Sequence, residues 1–238
     1  MGRTFACSDL HGMYGLWKQI QNYLQEDDKL IFLGDAADRG PDGIHIMFEL
    51  LADERVTYLK GNHEDMMVQV YSEYLEGFTY NLPLWAQNGG SPTFKALQTY
   101  PDARQLYLLS QLAKLPEAAE YQNKQGKRIF LSHAGAWMNH IISNNEKAMD
   151  LLWDRSHIYE EKSKDENLYI IHGHTPVQIL VKKIGLTSYK NDSIIPYCEG
   201  HKIDIDLGCF VSRQIALLDL DTFEPIYFRL EEEYHATS

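Results

Sequence analysis

Lys29-Leu30-Ile31-Phe32-Leu33-Gly34-Asp35-Ala36-Ala37-Asp38-Arg39-Gly40 decides how the rest of the chain reads. The continuous apolar run after Lys29 suits a strand buried on both faces. The glycine-bounded turn behind it presents two carboxylates and a guanidinium at the strand's carboxyl end. Ile44, Met47, Phe48 and Leu51 then follow at helical spacing. The same order stands on either side. Thr4-Phe5-Ala6-Cys7-Ser8 reads as a strand and leads through Asp9-Leu10-His11-Gly12 into a helix carrying Leu16, Ile20, Tyr23 and Leu24. Val56-Thr57-Tyr58-Leu59-Lys60 reads as a third strand and runs into Gly61-Asn62-His63-Glu64. Strands alternating with helices point to an α/β sheet.

Beyond Asp65 the character changes. As far as about residue 125 the chain is rich in Tyr, Leu and Met at helical spacing and is interrupted at Asn88-Gly89-Gly90-Ser91-Pro92 and Pro101-Asp102. It reads as a helical cap or insertion without strands. Strands resume at Arg128–Ser132 and Leu168–Ile171, and β-like runs follow at Ile179–Val181, Lys202–Asp206, Gln214–Asp219 and Ile226–Leu230. With no internal repeat and no low-complexity linker, residues 1–238 read as one domain.

Composition narrows the partners. The formal net charge of −12 argues against a nucleic-acid surface, which needs a basic face. It leaves room for a phosphorylated substrate, because bound cations invert the local field. No apolar run approaches the roughly 18–20 residues of a membrane span. Cys7, Cys198 and Cys209 form no CxxC pair and read as buried small hydrophobes, which suits a reducing, cytoplasmic setting. The oligomeric state is not legible.

The chemistry lies in where the polar residues fall. Asp9 and His11 follow the first strand, Asp35 and Asp38 the second, Asn62, His63 and Glu64 the third; His133 and His174 close two later ones. Ligands of α/β sheets bind beyond the carboxyl ends of the strands, so these groups are expected to converge. Singly, each has an ordinary structural explanation as a cap, a turn former or a loop histidine. Five strand ends acting together point to a hydrolase with two metals, and a mixed Asp, Asn and His set suits Mn, Fe or Zn better than an all-oxygen site for Ca or Mg.

Ser8-Asp9-Leu10-His11-Gly12, Gly34-Asp35-Ala36-Ala37-Asp38-Arg39-Gly40 and Gly61-Asn62-His63-Glu64 resemble, in order, the GDxHG, GDxxDRG and GNHE signatures of the serine/threonine phosphoprotein phosphatases among the metallophosphoesterases. Ser132-His133-Ala134-Gly135 and Gly173-His174-Thr175-Pro176 resemble the two later histidine motifs. The resemblance runs from about Phe5 to Phe210 and is greatest to small bacterial and bacteriophage members; Ser8 stands where the family has glycine.

The resemblance implies an α/β β-sandwich of two mixed sheets flanked by helices. It implies a first metal held by Asp9, His11 and Asp35, and a second held by Asp35, Asn62, His133 and His174. The cofactor would be two divalent ions, Mn²⁺ foremost. A hydroxide bridging them would attack phosphorus in line, with no phosphoenzyme. His63 is then the general acid, oriented by Asp38, while Arg39, Asn62 and Arg155 of Leu152-Trp153-Asp154-Arg155 bind the phosphate. Glu64 is read as supporting the ligands without binding metal. Asp206 is left between a structural and a site role, and His172 reads as a strand-end histidine.

The implied activity is a phosphomonoesterase of the protein serine/threonine phosphatase type, acting on phosphoproteins, phosphopeptides or small monoesters. A dinucleoside polyphosphate hydrolase is the nearest alternative; relatives of that kind usually carry Asp where Glu64 stands. A phosphodiesterase or nuclease is less well matched, because Pro176 stands where a Gly-His-x-His pattern would need its second histidine. A non-catalytic scaffold would be expected to have lost some ligand, and none is missing.

Overall fold

The computed structural model describes residues 2–144, 149–186, 189 and 192–231. Strands β1 (Thr4–Cys7), β2 (Lys29–Phe32) and β3 (Val56–Tyr58) run parallel. Antiparallel β9 (Gln214–Asp219) and β10 (Pro225–Arg229) extend them into one mixed sheet of order β10-β9-β1-β2-β3. The second mixed sheet holds β4 (Ala118–Gln122), β5 (Arg128–Ser132), β6 (Leu168–His172), β7 (Ile195–Tyr197) and β8 (Lys202–Asp204). Its order is β4-β5-β6-β8-β7, with β5, β6 and β8 parallel.

The alternation of side chains explains why the sheets stack. Ala6, Ile31 and Leu33 from one sheet meet Ile129, Leu131, Ile171 and Ile203 from the other in a shared apolar layer. Their neighbours Phe5, Cys7, Leu30 and Phe32 face outward under α1 (Tyr14–Tyr23) and α2 (Gly43–Ala52). Phe130, Leu168 and Ile170 face outward on the opposite side, with α7 (Met138–Ile142) and α8 (Val177–Ile184). A one-residue slip would exchange the two faces of a strand. At about 1.5–3 kcal/mol for each large side chain withdrawn from the core, that fixes the register.

Two expectations need correction. Ile179–Val181 is helical within α8: Pro176 stands at its N-cap and Gly185, with φ 72°, at its C-cap, and these boundary signals outweigh three adjacent β-prone residues. The segment between Asp65 and residue 125 is not wholly helical. It holds most of α3 (Asn62–Leu75), then α4 (Leu82–Gln87), α5 (Ser91–Leu97) and α6 (Asp102–Leu112), but it ends in β4, whose Ala-Ala-Glu-Tyr-Gln sequence is drawn into the sheet by pairing with β5. Among the described residues no helix is long and apolar enough to cross a membrane.

The parallel strands of each sheet end at the same edge, and the pairing continues into the loops. Asp9 N donates to Gly34 O (3.0 Å), His11 N to Asp35 O (2.9 Å) and Gly12 N to Ala36 O (2.9 Å). Glu64, wholly buried at the start of α3, accepts from Asp35 N (2.7 Å), Ala36 N (2.9 Å), Ala37 N (3.2 Å) and Gly61 N (2.9 Å). Replacing it leaves four buried donors without acceptors, each costing about 1–3 kcal/mol. Glu64→Ala is therefore expected to lower the unfolding free energy in urea by about 4 kcal/mol or more, measured in chelator so that cation loss adds nothing. A loss below about 1 kcal/mol would show that the loop stands without the carboxylate.

Candidate active site

Asp9, His11, Asp35, Asp38, Asn62, His63, His133 and His174 are all buried and gather where the carboxyl ends of β1, β2, β3, β5 and β6 meet. Two facts bring the sheets together there. His133 Nδ1 donates to Leu33 O (2.8 Å), and His174 N donates to Asp9 Oδ2 (3.1 Å). Gly173 is required for the second contact: a Cβ there would lie 2.1 Å from Asp9 Oδ2 and 2.2 Å from Ser8 Oγ. Ser8, where the motif prefers glycine, keeps negative φ and donates to Asp9 Oδ2 at 2.5 Å. Asp9, His11, Asp35, Asp38, Arg39 and His174 all adopt left-handed backbone, with φ between 42° and 68°.

Two donor sets emerge. On one side His11 Nε2 lies 3.8 Å from Asp9 Oδ1 and 3.6 Å from Asp35 Oδ2. On the other, Asn62 Oδ1 is 2.8 Å from His133 Nε2 and 3.0 Å from His174 Nδ1, and His133 Nε2 is 3.4 Å from Asp35 Oδ1. Asp35 thus offers one oxygen to each set. His11, Asp35 and His63 form one candidate cation cluster, and Asp35, His133 and His174 another. The expected ligands are brought together, with His63 beside the first set.

The ring orientations fit cations. His11 Nδ1 donates to Ala37 O (2.8 Å), which leaves Nε2 unprotonated, buried and without a hydrogen-bond partner. A carbonyl holding the far nitrogen while the near one turns into an acidic cluster is how ligating histidines are fixed. His133 is held in the same way through Leu33 O. Burial drives His11 down to about 3 and His174 down to about 2. At His133 burial opposes the cation, but Asp35 outweighs it and raises the ring to about 9. That Asp35 outweighs burial at His133 marks a demand for positive charge among these carboxylates that divalent ions would meet.

His63 stands apart from both sets in its hydrogen bonding. Its Nδ1 lies 2.7 Å from Asp38 Oδ2, and its Nε2 is 3.7 Å from Asp35 Oδ2 and 3.5 Å from Arg39 Nη2. Burial works against its cation, yet Asp35 and Asp38 together raise its pKa. Arg39 is exposed, as is Arg155, whose Nη2 donates to His174 O (3.3 Å). Two guanidinium groups thus flank a buried acidic centre, and Trp153 sets its ring edge-on to His174 at 6.2 Å.

Other residues resolve differently. Asp206 is buried, and burial together with the facing Asp9 raises its carboxyl well above the usual range. Gly208 N donates to its Oδ1 (2.7 Å), so it shapes the loop. His172 is a buried strand-end histidine, 2.7 Å from Tyr197 Oη. Sequence reasoning missed Lys202, which is wholly buried. Its Nζ donates to Ala136 O (2.9 Å) and His157 O (3.0 Å) and pairs with Glu160 (2.8 Å), joining the chain beyond His133 to the chain beyond Arg155. It also missed Trp85 and Thr93, which bond to Asp38 from the insertion. A cavity of about 550 Å³ by Tyr159, Leu186 and Tyr197 contains none of the candidate site residues, so donor chemistry and not cavity size marks the site.

Comparison with known proteins identifies the family. The calcineurin-like phosphoesterase family model matches residues 2–207. The bis(5'-nucleosyl)-tetraphosphatase PrpE of Geobacillus sp. (strain WCH70) is 23% identical over 228 residues, covering 84% of this chain and 83% of its own length. Serine/threonine-protein phosphatase 2 of Escherichia coli (strain K12) is 29% identical over 173 residues, covering 71% of this chain and 74% of its own. A Saccharomyces cerevisiae protein serine/threonine phosphatase shares the fold, with a TM-score of 0.57 at 12% identity over 97% of this chain and 81% of that one. The chain therefore belongs to the calcineurin-like phosphoesterase family and is a metal-dependent phosphoester hydrolase.

Proposed function

We propose that the chain is a phosphomonoesterase of the protein serine/threonine phosphatase type, with two divalent cations, manganese foremost, as cofactor. The observation that carries this reading is the His63 ring, locked through Nδ1 on Asp38 at 2.7 Å beside Arg39. Serine and threonine leave as alkoxides, which need a proton; a nucleotide released from a tetraphosphate leaves as a far weaker base. A positioned acid therefore matters most for the monoester.

Asp9, His11 and Asp35 would hold one cation, and Asp35, Asn62, His133 and His174 the other. When bound, the cations supply Lewis acidity at the phosphoryl oxygens and lower the pKa of a water. Arg39 and Arg155 grip the phosphate oxygens with planar donor forks. As the oxygen of water bonds to phosphorus and the ester P–O bond breaks, His63 passes its Nε2 proton to the departing oxygen, and the proton given up by the water is returned through solvent to His63. Asp38 keeps the ring aimed throughout. Inorganic phosphate and the free hydroxyl are the products.

A second reading, asymmetric hydrolysis of bis(5'-nucleosyl) tetraphosphates, has support from the relative so named that spans most of this chain. Glu64 in the third motif and the Trp153-Asp154-Arg155 segment favour the protein-phosphatase reading. Turnover of a phosphoserine peptide and of diadenosine tetraphosphate under the same Mn²⁺ load separates the two. The peptide is expected to show the higher kcat/KM. A preference of a hundredfold or more for the dinucleotide, about 2.7 kcal/mol of transition-state discrimination, would overturn the assignment.

Chelation is expected to abolish p-nitrophenyl phosphate turnover and Mn²⁺ to restore it. Asp35→Asn should cost both cations together in metal analysis; loss of one alone would show that Asp35 does not serve both sets. His63→Asn is expected to keep the metal content and to lose turnover about 10²–10⁴-fold, more on an alkyl than on an aryl phosphate. Equal losses on both would remove His63 from proton transfer.

A further inference from the structure

We infer that Trp85, on α4 of the insertion, is a positioning residue for catalysis: its indole N–H holds the Asp38 carboxylate in the one orientation that aims His63. The inference rests on the reading of His63 as the proton donor. Asp38 Oδ2 receives two hydrogen bonds, from His63 Nδ1 (2.7 Å) and from Trp85 Nε1 (2.8 Å), while its Oδ1 is buried without a partner. With Oδ2 shared between ring and indole, rotation of the carboxylate breaks both bonds at once. Asp38 and Trp85 are 0% and 1% exposed, so bulk solvent does not reach this hydrogen bond.

The surrounding backbone is built to hold the indole there. Gly90 leaves no room for a side chain, since a Cβ would lie 2.3 Å from Trp85 Nε1, and Gly90 N donates to Trp85 O (2.9 Å). Phe94 meets the indole edge-on at 6.1 Å. Two further bonds join the same segment to the catalytic loop: Asp38 N donates to Thr93 Oγ1 (2.9 Å), and Arg39 N donates to Gly89 O (2.9 Å). Asp38 and Arg39 are consecutive non-glycine residues in left-handed backbone, a conformation that persists only where neighbours enforce it. Residues 85–93 enforce it from outside the strand-end loops. This part of the insertion is thus a fixed component of the acid and the phosphate grip, and not a lid that swings clear of them.

The test separates orientation from bulk. Trp85→Phe removes the N–H and keeps an aromatic ring; replacement of Trp85 by β-(3-benzothienyl)alanine removes only the N–H at nearly constant shape. In Mn²⁺-loaded enzyme, either change is expected to lower the ratio of kcat on a phosphoserine peptide to kcat on p-nitrophenyl phosphate by about tenfold, with KM within about twofold of the parent. In a His63→Asn background the same changes should add nothing to that ratio. An undiminished ratio in the benzothienyl enzyme, or a full further loss without His63, would overturn the role of Trp85. If His63→Asn itself loses equally on both substrates, the proton-donor reading falls first and this inference with it. If His63→Asn discriminates and the Trp85 changes do not, only the inference falls. A poorly folded Trp85→Phe leaves the decision to the isosteric replacement.

Discussion

The Glu64 carboxylate collects the N–H groups of Asp35, Ala36, Ala37 and Gly61, and most of the site depends on this one convergence. The turn after β2 has no regular ladder to satisfy those donors, and they are buried from bulk solvent. With the carboxylate in place, Asp35 is free to lend an oxygen to each donor set. Ala37 O can receive His11, and the turn can deliver Asp38 and Arg39 from the same few residues. A neutral amide could not accept from all four, since one of its two polar atoms is a donor. Two acceptor oxygens on one side chain are what the turn needs, although burial and the neighbouring Asp35 raise the Glu64 carboxyl above its usual range.

Electrostatics then sets what the cluster can accept. Asp9, Asp35, Glu64 and Asp206 are all buried near one another, and a carboxylate so placed is costly unless compensated. Asp35 is held well below the usual range because its neighbouring imidazoles, His133 above all, overcome its burial; Asp9 and Asp206, less well compensated, are pushed up. The exposed guanidinium groups of Arg39 and Arg155 supply positive charge only at the rim. The interior remains short of cations, which is a physical reason for a site that attracts divalent metal at the base and phosphate at the mouth.

Much of this was legible in the sequence because each strand end carries its own short signal. Asp9, His11, Asp35, Asn62, His133 and His174 follow apolar runs directly, and the parallel sheet does the rest. Glu64 could be placed beside the ligands, but not three of its four bonds, since these reach a turn 27–29 residues away. Trp85 and Thr93 were illegible for the same reason more strongly: they reach Asp38 across 47 and 55 residues, and nothing local distinguishes a buried tryptophan that donates to a catalytic loop from one that merely packs. The helix at Ile179–Val181 was misread because three adjacent apolar residues carry no period, whereas Pro176 and Gly185 at its ends did mark it. β4 had little intrinsic preference for a strand and takes its form from β5.

Six residues of the site hold left-handed backbone although none is glycine. For L-residues that conformation costs of order 1–2 kcal/mol each, a penalty glycine would escape. Selection for stability alone would therefore erode Asp9, His11, Asp35, Asp38, Arg39 and His174 towards glycine, and only the work of their side chains opposes the drift. In a lineage that no longer needs the chemistry, these positions are where the restraint lifts first, and glycine appearing at several of them together would date the loss of activity in the descendant's own sequence.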